Sequence, residues 1–365
     1  MPPVRVEIDS VPRVEAADQP VGQVVRARES DLLRHLLHRV VLEEVELVAR
    51  RCVGVDVEET IEVDVPRDRR PRGERRLDYR DPVATLWPEF ALAGKEKATI
   101  AHVLSHQVGL PGFREPTTTN DLYDWERCCG ALARQAPCWK PGSDTSYHAM
   151  TFGYLAGEIL RRASGETVGR LVERRIARPL GADLFIGLPL AEEKRVAEMI
   201  GPMRSPDMSA LVIPEAAMMA LVNPQLDPEV PNTRAWRTAE IPAANGHVSA
   251  QGIARLYAAL ANGGSLEGMR LCSATAIDRM TEVQSPRRDQ LLGFEGNWAL
   301  GVSFNAMGLL GPDPRTFGHM GWGGSFGCAN RERNVAIGYV CNQMGAELVG
   351  DPRARALCET IFACL

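Results

Sequence analysis

The stretch "PGSDTSYHAMTFGYLAGEILRRASG", Pro141 to Gly165, carries the decisive reading of this chain. Its first half is a turn, Pro141–Gly142, followed by polar residues up to Tyr147. Its second half has Phe152, Leu155, Ala156 and Ile159 at helical spacing, with Gly165 placed to end the helix. A Tyr set just ahead of a helix start invites a chemical reading. The helix dipole and nearby cations would favour its phenolate, which could take a proton from an alcohol. The plainer alternative is a half-buried Tyr whose hydroxyl caps a loop.

Two further segments have comparable content. In "FGHMGWGGSFG", Phe317 to Gly327, four glycines (Gly318, Gly321, Gly323, Gly324) bring backbone close to something, and His319 adds a donor that titrates near neutrality. N–H groups exposed there suit an oxyanion or a carboxylate. The plainer reading is a glycine-rich hairpin. In "KATIAHVLSHQVGLPGF", Thr99 is the expected N-cap of a helix that closes near Gly109. His102 and His106 are then spaced i, i+4, a spacing that can hold a metal. No Glu follows His102 and no further ligand is evident, so helix packing is the better reading and no metal is expected.

Outward from these segments, "ETVGRLVERRIARPLGA" places Val168, Leu171, Val172 and Ile176 on one helical face. "SAQGIARLYAALANGG" does the same with Ile253, Leu256, Tyr257 and Leu260, stopping at Gly263–Gly264. Residues 191–245, rich in Pro, Met and Ala, predict long loops with short helices. Short β-like runs follow in "WALGVSF", "SFGCA" and "NVAIGYVCN", and a last helix starts at Pro352.

The first 80 residues differ. They hold 15 Arg and 17 Asp plus Glu, no Lys, Phe or Trp, and a single Tyr at position 79. Such charge-dense, aromatic-poor sequence cannot easily bury enough apolar area to fold alone. Local order is still expected from Leu33, Leu36, Leu37, Val40 and Val41 on a helix face and from the strand-like alternation of "EETIEVDVP". The segment ends in "VPRDRRPRGERRLDY", Val65 to Tyr79, with six arginines.

The bulk numbers exclude some classes. A hydrophobic fraction of 45% and a charged fraction of 24% are those of a globular protein. A net charge of −5 gives no electrostatic reason to expect nucleic acid. No apolar run approaches the roughly 18 residues that span a bilayer, and "MPPVRVEIDSVPRVEAADQP" has no apolar signal region. Nine scattered cysteines without a C-x-x-C predict reduced, mostly buried thiols and a cytoplasmic protein. The vicinal Cys128–Cys129 reads as two helix-face residues.

Taken in order, "DPVATLWPEFALAGKEKATIAHVLSHQVGLPGF", "PGSDTSYHAMTFGYLAGEILRRASG", "IPAANGHVSAQGIARLYAALANGG" and "FGHMGWGGSFG" resemble the serine β-lactamase-like superfamily: class C β-lactamases, DD-peptidases and family VIII carboxylesterases. The resemblance covers residues 78 to 365. It implies an α/β (α+β) fold, an antiparallel sheet flanked by helices with a second, mostly helical domain. The helical part would run from about 98 to 245, the sheet and C-terminal helix from about 246 to 365, with the site in the cleft between them. It implies acyl transfer on a small ester or amide, without a cofactor. Tyr147 would stand at the Tyr of the family's Y-x-N motif as general base. His319 and Gly321 would stand at the ends of its K-T-G, and the Trp322 N–H would be an oxyanion donor beside Gly323, Gly324 and Ser325. The motif's Asn is Ala149 here, which leans toward esters over β-lactams.

The family nucleophile, a Ser in S-x-x-K, has no counterpart. The four lysines, Lys95, Lys97, Lys140 and Lys194, follow Leu92, Gly94, Pro137 and Ala191 by three positions. The family would place the motif shortly before "LDYRDPVATLWPEF", where the arginine-rich run stands. Two readings compete. One is a catalytically inactive pseudoenzyme that binds ligands on the same scaffold. The other is that residues 1–77 stand outside the natural frame, since a G+C-rich gene read out of frame gives Arg-rich, Lys-free sequence.

Overall fold

The computed structural model describes residues 78–203 and 215–365. The helix-like and strand-like spacings before residue 67, Cys52 and the arginine-rich run up to Leu77 lie outside them, as does part of the 191–245 segment.

Thr99 opens the first helix as expected. Its hydroxyl accepts the His102 N–H at 3.2 Å, and its own N–H donates to His102 Nδ1 at 3.3 Å. This reciprocal cap starts α1, Ile100–Leu104. The helix stops well short of Gly109, because His106 takes a φ of 59° and a right-handed helix cannot run through that conformation. His102 and His106 therefore do not share a helix face, and the i, i+4 pairing loses its basis. Helix α2, Trp125–Arg134, starts where Asp124 accepts the Arg127 N–H. It turns Cys128, Cys129 and Leu132 into the core. Burial lifts the Cys128 thiol to about 12 and Cys129 further, so the vicinal pair is packing.

Helix α3, Thr151–Ser164, ends at left-handed Gly165, φ 73°. The expected stripe is too narrow. Leu155 and Ile159 are buried, but so are Gly153, Tyr154, Gly157 and Glu158. A Cβ on Gly157 would stand 2.5 Å from the Trp125 ring, so the missing side chain lets α2 approach on a second face. Next come α4, Val168–Val172, a wide turn at Glu173–Ala177 and α5, Arg178–Leu180. Strand β1, Leu184–Ile186, pairs antiparallel with β2, Gly246–Val248. Between them lie α6, Glu215–Val222, and α7, Arg234–Thr238, the short helices expected among prolines.

Ser249 caps α8, Ala250–Ala261, which stops before Gly263 and Gly264. A small hairpin follows, β3, Ser265–Leu266, with β4, Met269–Arg270, and then α9, Ala274–Met280. The larger sheet is antiparallel in the order β5 (Ser303–Phe304), β6 (Phe317–Met320), β7 (Phe326–Asn330), β8 (Val335–Tyr339). Helix α8 lies across β7 and β8, and two glycines permit it. A Cβ on Gly327 would meet the Tyr257 ring at 2.1 Å, and one on Gly338 would meet Ile253 at 2.3 Å. Helix α10, Pro352–Ala363, begins at Asp351, whose carboxylate accepts the Arg353 and Ala354 N–H groups. One core joins Val83, Phe90, Leu110, Leu132 and Tyr154; another joins Tyr257, Val302 and Phe317. The fold is mixed α/β, small antiparallel sheets flanked by helices, as the sequence leads one to expect.

Candidate active site

Tyr147 is held from below by His106. The His106 carbonyl accepts the Ser146 N–H and the Thr145 hydroxyl, both at 3.2 Å, and its Nδ1 accepts the His148 N–H at 3.2 Å. The left-handed turn at His106 lets one residue grip the loop with both backbone and ring. His148 completes the support. Its Nε2 accepts the Leu110 N–H at 3.1 Å, so its Nδ1 carries the proton and donates to the Ser146 carbonyl at 2.6 Å. Full burial pushes its pKa down to about 4, in keeping with this neutral tautomer.

The Tyr147 ring faces other rings. Trp298 stacks on it at 5.5 Å and 9°, His319 lies at 5.5 Å, and His106 stands edge-on at 5.1 Å. Trp298 is itself pinned. Its Nε1–H donates at 2.9 Å to Asp289, whose other oxygen accepts the Leu291 and Leu292 N–H groups. Burial, followed by the Asp289 carboxylate, pushes the Tyr147 phenol up to about 12. Helix α3 starts four residues on, at Thr151, and the environment is aromatic and acidic. At neutral pH Tyr147 presents a protonated hydroxyl.

His319 sits on β6 opposite Gly327, and burial keeps its imidazole from protonating. Beyond it the chain turns through Gly321–Ser325. Gly321 N–H donates to the Ser325 carbonyl at 2.7 Å and Gly324 N–H to the Gly321 carbonyl at 3.2 Å. The Trp322 N–H has no partner among the described residues. The glycines have a different task from the one expected of them. A Cβ on Gly318 would stand 2.2 Å from the Gly327 carbonyl, and one on Gly324 2.7 Å from Asp351. Gly323 and Gly324 also have φ of 95° and 115°. What these three approach is protein, and the plain hairpin reading describes them. Ser325 Oγ accepts the Cys341 N–H at 3.1 Å.

Tyr147, Ala149, His319, Gly321, Trp322 and Ser325 all line one cavity of about 1780 Å³; Gly323 and Gly324 do not. The cavity also takes in Trp298, which the sequence reading passed over as part of a β-like run. Asp289 was equally silent, an acid in "RRDQLLGF" with no motif around it. Lys95 belongs elsewhere. It is fully buried, and its ammonium donates to the Leu92, Ala133 and Gln135 carbonyls. No group of three or more potential metal ligands occurs among the described residues.

Fold and site together define a scaffold of the β-lactamase/transpeptidase type. The chain belongs to the β-lactamase family, whose profile matches residues 72–359. It is similar to a family VIII carboxylesterase of solved structure, 44% identical with a TM-score of 0.75 over 79% of this chain and 77% of that one. A structure described as a novel penicillin-binding protein homolog from Caulobacter crescentus is 42% identical, TM-score 0.75, over 80% and 77%. The esterase/beta-lactamase LipL of Mycobacterium tuberculosis is 35% identical over 289 residues, 75% of this chain and 65% of that protein. The chain thus spans less than two thirds of that relative's length.

Proposed function

We propose that the cavity binds small esters or amides on the scaffold of a serine hydrolase of the β-lactamase/carboxylesterase type, whose acyl-transfer chemistry needs an S-x-x-K nucleophile that this chain lacks. The observation that carries this is that Tyr147, His319 and Trp322, whose N–H has no partner among the described residues, all line one cavity. A hydroxyl and an N–H at a carbonyl are what an oxyanion needs. Tyr147 and His319 are the proton-handling groups, and Gly321, Trp322 and Ser325 form the binding edge. As a neutral phenol, Tyr147 enters as a proton donor or bridge. Saturable hydrolysis of short p-nitrophenyl esters by the full chain, abolished by a fluorophosphonate, supports the hydrolase reading and requires another serine to serve as nucleophile.

A second reading, a non-catalytic binding protein on the same scaffold, is favoured by one specific feature: no S-x-x-K exists in the chain. Absence of turnover together with saturable ester binding supports it over the first. Translating the codons for residues 1–80 in all three frames then separates its causes. An S-x-x-K appearing in another frame points to an active natural protein, and confirmation of the present frame points to a pseudoenzyme.

A further inference from the structure

The turn that presents Trp322 is not fixed by its own sequence. Gly323 and Gly324 have φ of 95° and 115°, and glycine enters that region without steric cost but leaves it as easily. What holds the turn comes from behind it. The Gly323 carbonyl accepts from three donors: Arg353 Nη2 at 3.0 Å, the Gly345 N–H at 2.9 Å and the Cys341 thiol at 3.4 Å. Arg353 reaches further than the other two. Its Nη1 donates to the Gln343 carbonyl at 3.0 Å. On either side of Gln343, the Asn342 carbonyl accepts the Ile200 N–H at 2.8 Å and the Met344 N–H donates to the Ile200 carbonyl at 2.9 Å. Asn342 and Met344 line the same cavity as Trp322. One guanidinium thus ties the turn to the adjoining strip of wall. It is aimed by Asp351, which is 2% exposed and accepts Nε at 3.0 Å and Nη2 at 2.7 Å. That two-point grip needs the planar fork of an arginine.

Resting on the reading of the site as one for esters and amides, we propose that Arg353 is a positioning residue: it holds the Gly321–Ser325 turn so that the Trp322 N–H stands in place for a ligand's carbonyl oxygen. A donor already in place costs no ordering when the ligand arrives, whereas a donor on a free glycine turn must be ordered at that moment. Arg353 is not among the residues that line the cavity, so it acts through the turn. Its side chain is 40% exposed, so its ion pair adds little to global stability and its loss should be felt first at the turn.

The test uses the full chain and two ligands of matched shape: butyrophenone, whose ketone cannot be hydrolysed, and butylbenzene, with a methylene in place of the carbonyl. Binding is read by tryptophan fluorescence. Arg353→Met is expected to weaken butyrophenone by about fivefold or more and to leave butylbenzene within about twofold of the unmutated chain. Arg355→Met, on the same helix but paired only with Glu359 at 3.6 Å, should change neither ligand. Equal losses for both ligands in Arg353→Met mean a merely structural role and overturn the proposal, as does butyrophenone binding left unchanged. Should Arg353→Met not fold, Arg353→Lys carries the same comparison. It keeps the charge, loses the fork and should weaken butyrophenone alone, by about twofold or more; no such weakening overturns the proposal. The reading of the site fails in a different way. An unmutated chain that does not bind butyrophenone removes the carbonyl site and this proposal with it, whereas binding that survives Arg353→Met removes only Arg353.

Discussion

Two buried polar regions of this protein handle water's absence in opposite ways. Around Glu158 the answer is close partners. Its carboxylate accepts from the Trp125 indole at 2.7 Å, from Arg162 at 2.6 Å and from Arg161 at 3.5 Å. Lys95 is matched by the Ala133 and Gln135 carbonyls where helix α2 ends, the place where a cation is favoured, and by the Leu92 carbonyl. Around Tyr147 the titratable rings are neutral, and the one carboxylate beside them, Asp289, is held by the Trp298 indole and two backbone N–H groups. His106 and His148 are held unprotonated and the phenol keeps its proton. The first arrangement fastens helices together. The second sets neutral hydrogen-bonding rings at a cavity, with a partnered carboxylate behind them.

The sharpest way to break this comparison is Trp298→Ala. It removes the stacking partner of Tyr147 and strands Asp289, so a loss of about 3–5 kcal/mol is expected in urea unfolding. Glu158→Leu should cost somewhat less, about 2–3 kcal/mol, because Arg161 and Arg162 are partly exposed and can turn to water. If the order of these two is inverted, the aromatic cluster is not the more tightly built region.

The pH dependence of stability tests both regions at once. An unfolded chain protonates its histidines near pH 6.5, whereas folded His148 does so only at about 4. The unfolded state therefore binds more protons in between, and stability falls as pH drops from 6.5 to 4, by about 3 kcal/mol from His148 alone. Buried Lys95 has its pKa drawn from 10.5 down to about 8, so the same logic makes its contribution rise as pH climbs from 8 to 10.5. Urea midpoints should rise as pH climbs from 4 to 6.5 and flatten above it, and above about pH 9 the buried Cys128 and Cys129 thiols, kept protonated only in the folded state, should outweigh the Lys95 contribution and turn the curve down. A midpoint that does not change between pH 4 and 6.5 removes His148 from the account.

Tyr147→Phe should have the smallest effect on stability, within about 1 kcal/mol, since the ring contacts remain. Its effect on ester turnover should be at least about a hundredfold if the hydroxyl handles a proton. A variant with unchanged turnover would return Tyr147 to the loop-capping reading.

How much of this was legible in the chain varies with distance along it. The caps at Thr99, Gly165, Ser249 and Asp351–Pro352 act on residues within a turn or so of themselves, and these helix ends fall where the local signals put them. The one early misjudged end, at His106, is a case of tertiary override. Its left-handed backbone is held by hydrogen bonds to residues 145–148, which no local pattern encodes. Helix α3 shows the same limit. Its apolar stripe was readable, but its second buried face depends on Trp125 reaching Gly157.

By itself, then, the sequence determined the helix starts, the glycine hairpin, the order of the family-like segments and the absence of S-x-x-K, because each is a matter of neighbouring residues. Only the tertiary structure decided that Tyr147, Trp298 and His319 pack against one another, that Asp289 pins Trp298, that Arg195 pairs with Asp183 and Glu192, and which groups carry protons. Those outcomes depend on burial and on charges brought together from segments far apart in the chain. Desolvation, which sets the protonation states, does not exist until the core has closed around them.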